Sequence, residues 1–249
     1  MKYLSPSIVL ACTSAIVTAT EPGKKPDTPK QPWSGYPVHD TTRPHPKKVQ
    51  AKGPVTTQAP SDAIVLFNGS NTSAWTKNWT VKDGIMVASP GNNSTVQSFG
   101  DCQLHIEWRI PAGRKVKGQS GGNSGVFFMQ KYEIQVQESH TNVTYADGQT
   151  GAMYGQHPPL VNASTPQGEW QSYDIIFTAP RYDGETCTEP ARVTVIHNGV
   201  VIQNNQKYFG TSTHRKLPNY PKSHPAKAPL MLQWHSDPIE FRNIWLREL

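Results

Sequence analysis

Residues 132–138 (YEIQVQE) alternate strictly, with Tyr132, Ile134 and Val136 on one face and Glu133, Gln135 and Gln137 on the other. A carboxylate set two residues from an amide can line a groove and hold the hydroxyls of a polar ligand. The same face also fits ordinary solvation. Two further segments carry polar faces of this kind. Residues 102–110 (CQLHIEWRI) place Gln103, His105, Glu107 and Arg109 opposite Leu104, Ile106, Trp108 and Ile110, and residues 230–235 carry Gln233 and His235. Polar faces on several strands favour a shared hollow over three independent solvated edges.

Those faces need a scaffold of strands. The chain has 249 residues, with 22 prolines, 19 glycines and no long apolar stripe of helical period, so many short strands and tight turns are expected. Strands are read at 63–67, 102–110, 124–130, 132–138, 170–178, 191–197, 230–235 and 239–246. Asp83-Gly84 and Asn198-Gly199 supply hairpin turns at 79–87 and 191–203. About eleven strands without crossover helices give an all-β fold of two packed antiparallel sheets, a jelly-roll sandwich. Residues 140–169, rich in turn formers, make a long loop of functional character that contains Tyr145, Met153, Tyr154 and His157.

The formal charge of +6 resides mainly in the N-terminal arm. Residues 21–60 hold seven Lys/Arg against three Asp/Glu, and Lys2 adds one more, so 61–249 is nearly neutral. Such a domain has no electrostatic footprint for nucleic acid. Residues 1–19 read as a secretory signal peptide, too short to span a membrane; a lipoprotein modified at Cys12 is the alternative. Residues 20–60, with nine prolines in 21–60, read as a Pro/Lys-rich linker that partly docks through residues 33–40, and the sandwich domain occupies 61–249.

Export makes pairing of Cys102 with Cys187 the default, with two separately buried thiols as the alternative. Asn68, Asn71, Asn78, Asn92, Asn93, Asn142 and Asn162 each open an Asn-x-Ser/Thr triplet. The expected location is extracellular, with retention at a cell wall through the arm as a further option. No His/Cys/Asp spacing is diagnostic of zinc, and no dense acidic loop offers a calcium site, so no metal or cofactor is assigned.

With the strands placed, the chain resembles the 3-keto-disaccharide hydrolase domain family. The resemblance is carried by YPVHDTTRPHPKKV, PSDAIVLFNG, FGDCQLHIEWRIP, GGNSGVFFMQKYEIQVQES, TYADGQTGAMYGQHPPLVNAS, GEWQSYDIIFTAP, PARVTVIHNGVV and PLMLQWHSDPIEFRNIWLREL. It implies a concanavalin-like β-sandwich and secreted or periplasmic enzymes acting on sugars oxidised at C3. The sequence has no dinucleotide fingerprint with which to make the ketone itself, and a separate oxidoreductase is the candidate source. Three positions depart from the family pattern. Asn68 and Glu138 each stand in place of Asp, and Trp234 replaces an acidic residue, so the resemblance carries no catalytic or metal role to Glu138 or Trp234.

A C3 ketone acidifies the C2 hydrogen and makes the C1 oxygen a leaving group. Cleavage then needs a base at C2, donors at the C3 oxygen and an acid at the leaving group. On this reading Glu133 is the base, Arg109 or Arg242 stabilises the enolate, and His235 or His105 is the acid. Gln135, Gln233 and Tyr154 hold hydroxyls, with Glu107 as a further catalytic candidate and Asn123 as a further binding one. Structural alternatives stand beside these: cross-strand pairing for Glu107 and Arg109, packing for His105, a carboxylate clamp for Arg242 and a turn cap for Asn123. A carbohydrate-binding module that keeps the groove without the reaction is the alternative function.

Overall fold

The computed structural model describes residues 27–249, so the expected signal peptide, Cys12 and the start of the arm lie outside the described residues. In chain order the strands are β1 (Lys47–Lys48), β2 (Ile64–Phe67), β3 (Thr80–Lys82), β4 (Ile85–Val87), β5 (Asn93–Phe99), β6 (Cys102–Arg109), β7 (Asn123–Phe128) and β8 (Tyr132–Gln137). They continue as β9 (Val161–Asn162), β10 (Gln171–Thr178), β11 (Arg181–Asp183), β12 (Thr186–Glu189), β13 (Arg192–His197), β14 (Val200–Lys207), β15 (Ala228–Leu232) and β16 (Glu240–Glu248). The helical content of the described residues is one 3-10 turn at Ala146–Gly148.

Eight strands form an antiparallel sheet in the order β14-β13-β10-β6-β16-β4-β3, with β2 also on β16. Four more form the sheet β5-β15-β7-β8. The apolar faces predicted from the alternation meet between these sheets. Leu104, Ile106, Trp108, Tyr173, Ile175 and Phe177 of the large sheet face Val126, Phe128, Tyr132, Ile134 and Val136 of the small one, all at most 2% exposed. Phe128 stacks on Phe177 with ring centroids 4.6 Å apart. Each such buried side chain contributes about 1.5–3 kcal/mol of transfer free energy. The chain is thus an all-β, sandwich-type jelly roll.

Turn chemistry sets the registers. Asp83-Gly84 and Asn198-Gly199 take positive φ as expected, whereas Met129 and Gln130 (φ 52° and 58°) make the β7–β8 turn without glycine. Strand β5 is polar (NSTVQSF), with Val96 exposed, so alternation could not reveal it.

The expected disulfide is not formed. Cys102 and Cys187 are both free. Cys102 opens β6 opposite Phe177 with its thiol in the core, while Cys187 belongs to the separate β11–β12 hairpin and donates to the Glu189 carbonyl at 3.3 Å. The sequence interval said nothing about which sheet each cysteine joins. Of the glycosylation candidates, Asn142 is half-buried and Asn162 buried, and their amide nitrogens donate to the carbonyls of Gly118 and Ser139 at 2.8 and 2.7 Å. Asn93 is likewise buried. Asn68, Asn71, Asn78 and Asn92 are exposed.

The arm is a strap rather than a free linker over its described length. Trp33 stacks on Phe209 at 4.1 Å and donates to the Gln156 carbonyl at 3.1 Å. Gln31 and Val38 are fully buried, and β1 pairs with β9 in parallel.

Candidate functional site

The polar face of β8 is covered. Glu133, Gln135 and Gln137 are at most 5% exposed. Register places Gly125 of β7 opposite Gln135, and the Gln233 amide N–H donates to the Gly125 carbonyl at 2.9 Å. Glu133, Gln135 and Gln233 therefore share one face of the small sheet. The Glu133 carboxyl leans over Gly125, where an added Cβ would lie 2.5 Å from Oε1. Its backbone is fixed by Ser212 Oγ, 3.0 Å from the Glu133 nitrogen, and by the Tyr208 hydroxyl, which donates to its carbonyl at 3.1 Å. In the orientation that suits Glu133 and Ser124, the Gln135 amide nitrogen donates to Glu133 Oε1 at 3.2 Å and to the Ser124 carbonyl at 2.7 Å.

The cover comes from segments without periodicity. Gln119 reaches in from the glycine-rich loop and donates to Thr144 Oγ1 and the Gly148 carbonyl, both at 2.9 Å. The loop after β8 brings the Tyr145 hydroxyl to 2.7 Å from that of Tyr154, and Tyr154 lies 3.0 Å from His214 Nδ1. The arm adds His39, whose ring stacks on Tyr145 at 4.0 Å and whose Nδ1 is 3.3 Å from Asp147 Oδ1.

Glu133 enters no salt bridge among the described residues, and burial pushes its carboxyl up to about 8. Burial also raises the Tyr145 and Tyr154 phenols, and the Glu133 charge adds to both shifts, which places the carboxyl within their electrostatic range. His214 is pushed down by burial first, then by His39, Arg215 and His235. His235 is exposed and lies within electrostatic range of His214. An acid poised near neutrality, bordered by amides, phenols and imidazoles, can exchange a proton with a carbon acid or an oxygen.

The structure brings Glu133, Gln135, Gln233, Tyr154 and His235 to one region, with Asn123 at its margin. Asn123 is 3% exposed and donates its amide to the Gln119 carbonyl at 2.9 Å. Arg109, Arg242, Glu107 and His105 are not part of that region. They lie on the outer face of the large sheet, the opposite side of the sandwich. Arg242 Nε donates to Glu107 Oε2 at 2.7 Å, Asn243 donates to Oε1 at 3.0 Å, and His105 bridges Asp174 at 2.7 Å and Glu107 at 3.6 Å. Arg109 pairs with Glu240, and both arginines stack on Trp170, at 4.6 and 4.1 Å. Burial opposes charge on Glu107, but the His105 ring nearby and the hydrogen bonds from Asn243 and Arg242 outweigh it and hold its carboxyl at about 2. A two-residue period says which side chains share a face of a strand; it cannot say which side of a sandwich that face takes.

Glu138 caps its own loop, accepting from the backbone N–H groups of His140, Thr141 and Asn142 at 2.7–3.0 Å. Among the described residues no group of three or more His, Cys, Asp or Glu is placed to hold a metal, and no helix is long and apolar enough to cross a membrane. A cleft of about 460 Å³ opens elsewhere, between arm residues 48–51 and the loop at 162–169; Glu133 does not line it.

Tyr145, His214, His39 and Asp147 are the residues that strand patterning missed. Aromatics and turn residues dense in the 140–169 loop were the available signal for Tyr145, and the docking segment 33–40 was the signal for His39; nothing local marked His214.

The chain is 43% identical to a candidate glycosyl hydrolase from Parabacteroides distasonis, with a TM-score of 0.76, covering 82% of this chain and 90% of that one. A second candidate glycosyl hydrolase from the same organism shares the fold at 22% identity and a TM-score of 0.55, covering 75% and 99% of the respective chains. No curated protein matches the chain. Residues 62–247 match the family described as "3-keto-alpha-glucoside-1,2-lyase-like domain", and the chain belongs to that family.

Proposed function

We propose that this protein is a secreted carbohydrate-active enzyme that cleaves glycosides oxidised at C3, by removing the C2 proton and expelling the C1 oxygen. The observation that carries the reading is Glu133: a carboxyl 5% exposed, without a charged partner, raised to about 8, beside amides and phenols. The family description and the glycosyl-hydrolase relatives support the carbohydrate class.

In the proposed reaction Glu133 takes the proton from C2, and the electron pair forms the enolate of the C3 ketone. The enolate then collapses to a C1=C2 double bond as the C1–O bond breaks, and the departing oxygen takes a proton. Water adding across the new double bond completes a net hydrolysis. Gln135, Gln233 and Tyr154 are the donors available on this face for the C3 oxygen and the hydroxyls, which replaces the arginines expected from the sequence. The proton for the leaving group comes from Tyr154, resupplied through His214, or from the exposed His235. A separate oxidoreductase would supply the ketone.

The test is proton NMR of the full chain with a 3-keto-α-glucosyl disaccharide in D2O. Expected are loss of the anomeric signal, an olefinic product signal or its hydrated successor, and deuterium at C2 of recovered substrate. Intact substrate that nevertheless binds saturably would leave a lectin-like module instead.

The same assay separates the two polar clusters. Arg242→Ala strands the buried Glu107 carboxylate, so it should cost about 3 kcal/mol of stability by denaturant titration. Its kcat should stay essentially unchanged, and loss of turnover in a folded variant would return Arg242 to the site.

A further inference from the structure

The family model matches residues 62–247, and the strap at 27–45, which precedes that span, hydrogen-bonds to Asp147 and Gly155 in the loop that covers Glu133. Gln31, fully buried, donates to Asp147 Oδ2 at 3.1 Å and to the Gly155 carbonyl at 2.7 Å. His39 sits at φ 61°, a left-handed conformation that a histidine adopts only when its surroundings fix it. Its backbone N–H donates to Asp147 Oδ2 at 3.1 Å, and its Nε2 accepts the Arg215 backbone N–H at 3.4 Å. With Nε2 accepting, the ring proton of the neutral imidazole is on Nδ1 and points at Asp147 Oδ1, 3.3 Å away. Carboxylate, ring nitrogen and ring plane are thereby fixed together, as in the carboxylate–histidine pairs that orient a functional imidazole.

The ring faces the chemistry. It stacks on Tyr145 at 4.0 Å and lies 4.9 Å from Tyr154 and 5.2 Å from His214, the three groups of the hydrogen-bonded chain beside Glu133. Moving His39 would free Tyr145 to rotate and break the 2.7 Å contact that holds Tyr154.

We propose that His39, oriented by Asp147, is a positioning residue of the Glu133 site: the N-terminal strap sets the Tyr145–Tyr154 pair against the carboxyl and keeps water from it. This rests on the reading of Glu133 as the proton acceptor, and the experiment separates the two. His39→Asn tolerates the positive φ and can still donate to Asp147, but it removes the ring from Tyr145. His39→Phe keeps the stack and loses the Nδ1–H. Asp147→Asn is the third variant, in case the first two fail to fold. In the full chain, His39→Asn should lower kcat on a 3-keto-α-glucoside by ~10–100-fold, a cost that a misplacement of about an ångström produces, with KM little changed. Added to Tyr154→Phe, it should lower kcat no further.

The readout independent of turnover is the titration of Glu133 by carbon NMR of glutamate labelled at its carboxyl carbon, assigned by comparison with Glu133→Gln. In His39→Asn the midpoint should fall toward the ordinary carboxylate range as water enters. A folded variant with unchanged kcat and unchanged midpoint overturns the proposal and leaves the reaction standing. If the wild type turns over no 3-keto-glucoside, the reaction is wrong, and the titration alone decides whether the strap shields the acid.

Discussion

Glu133→Gln should lose ~10²–10⁴-fold in kcat on a 3-keto-glucoside, the range general-base removal produces, and yet be more stable than the wild type at alkaline pH. The two halves have one cause. The folded-state carboxyl titrates at about 8, above its unfolded value near 4.3. Between those values the native chain holds a proton that the unfolded chain has released, so wild-type stability falls as pH rises through this window. A shift of this size is worth several kcal/mol once pH exceeds the folded value. Glutamine has no charge to bury, so its melting temperature should match the wild type's near pH 4 and exceed it at pH 9. The activity of the wild type should climb through the same window, because only the ionised acid accepts a proton. A variant equally destabilised at pH 9 would show that Glu133 has a partner or solvent access that lowers its pKa. Retained turnover would move the base elsewhere.

Gly125→Ala is the second large effect, and it leaves every side chain of the proposed chemistry in place while crowding the Glu133 carboxyl. Gly125 faces Gln135 across the β7–β8 ladder, at a position where a methyl would lie 2.5 Å from Glu133 Oε1 and 2.7 Å from Phe127 Cε2. Separations that short force movement, and the groups that must move are the carboxyl and a neighbouring aromatic ring. Overpacking of this kind costs about 1–3 kcal/mol, which a denaturant titration resolves. The displacement of the carboxyl should lower kcat by ~10²-fold. Wild-type kinetics in Gly125→Ala would mean that the carboxyl works from another rotamer. Glycine inside a strand interior is otherwise unfavourable, so its presence here answers a need for space.

These two residues also show how far the sequence could be read. Alternation in YEIQVQE placed Glu133 and Gln135 together and opposite Ile134, and the structure keeps that arrangement. The same logic applied to His105, Glu107 and Arg109 grouped them correctly with one another but joined them to the wrong side of the sandwich, where β10 and β16 supply Asp174, Glu240 and Arg242 as partners. Which outer face a strand presents depends on sheet order, a long-range property. The cover over Glu133 was less legible still. Tyr145, His214 and His39 come from loops and from a proline-rich arm, where side-chain direction follows no period. The free state of Cys102 and Cys187 and the hydrogen-bonded amides of Asn142 and Asn162 are tertiary facts of the same kind.

The strap has a consequence for biosynthesis. Gln31 and His39 leave the ribosome before any strand of the sandwich, but their partners include Asp147, Gly155 and Arg215, separated by up to 176 residues. Contacts of such sequence separation need most of the chain to be present before they can form. A nascent chain stopped before residue 209 would lack Phe209, the seat of Trp33, and could not fasten the arm. Closure of the strap over the Glu133 cluster therefore waits until residues 209–215 have been made, so the first part of the cover to be synthesised is the last to find its seat.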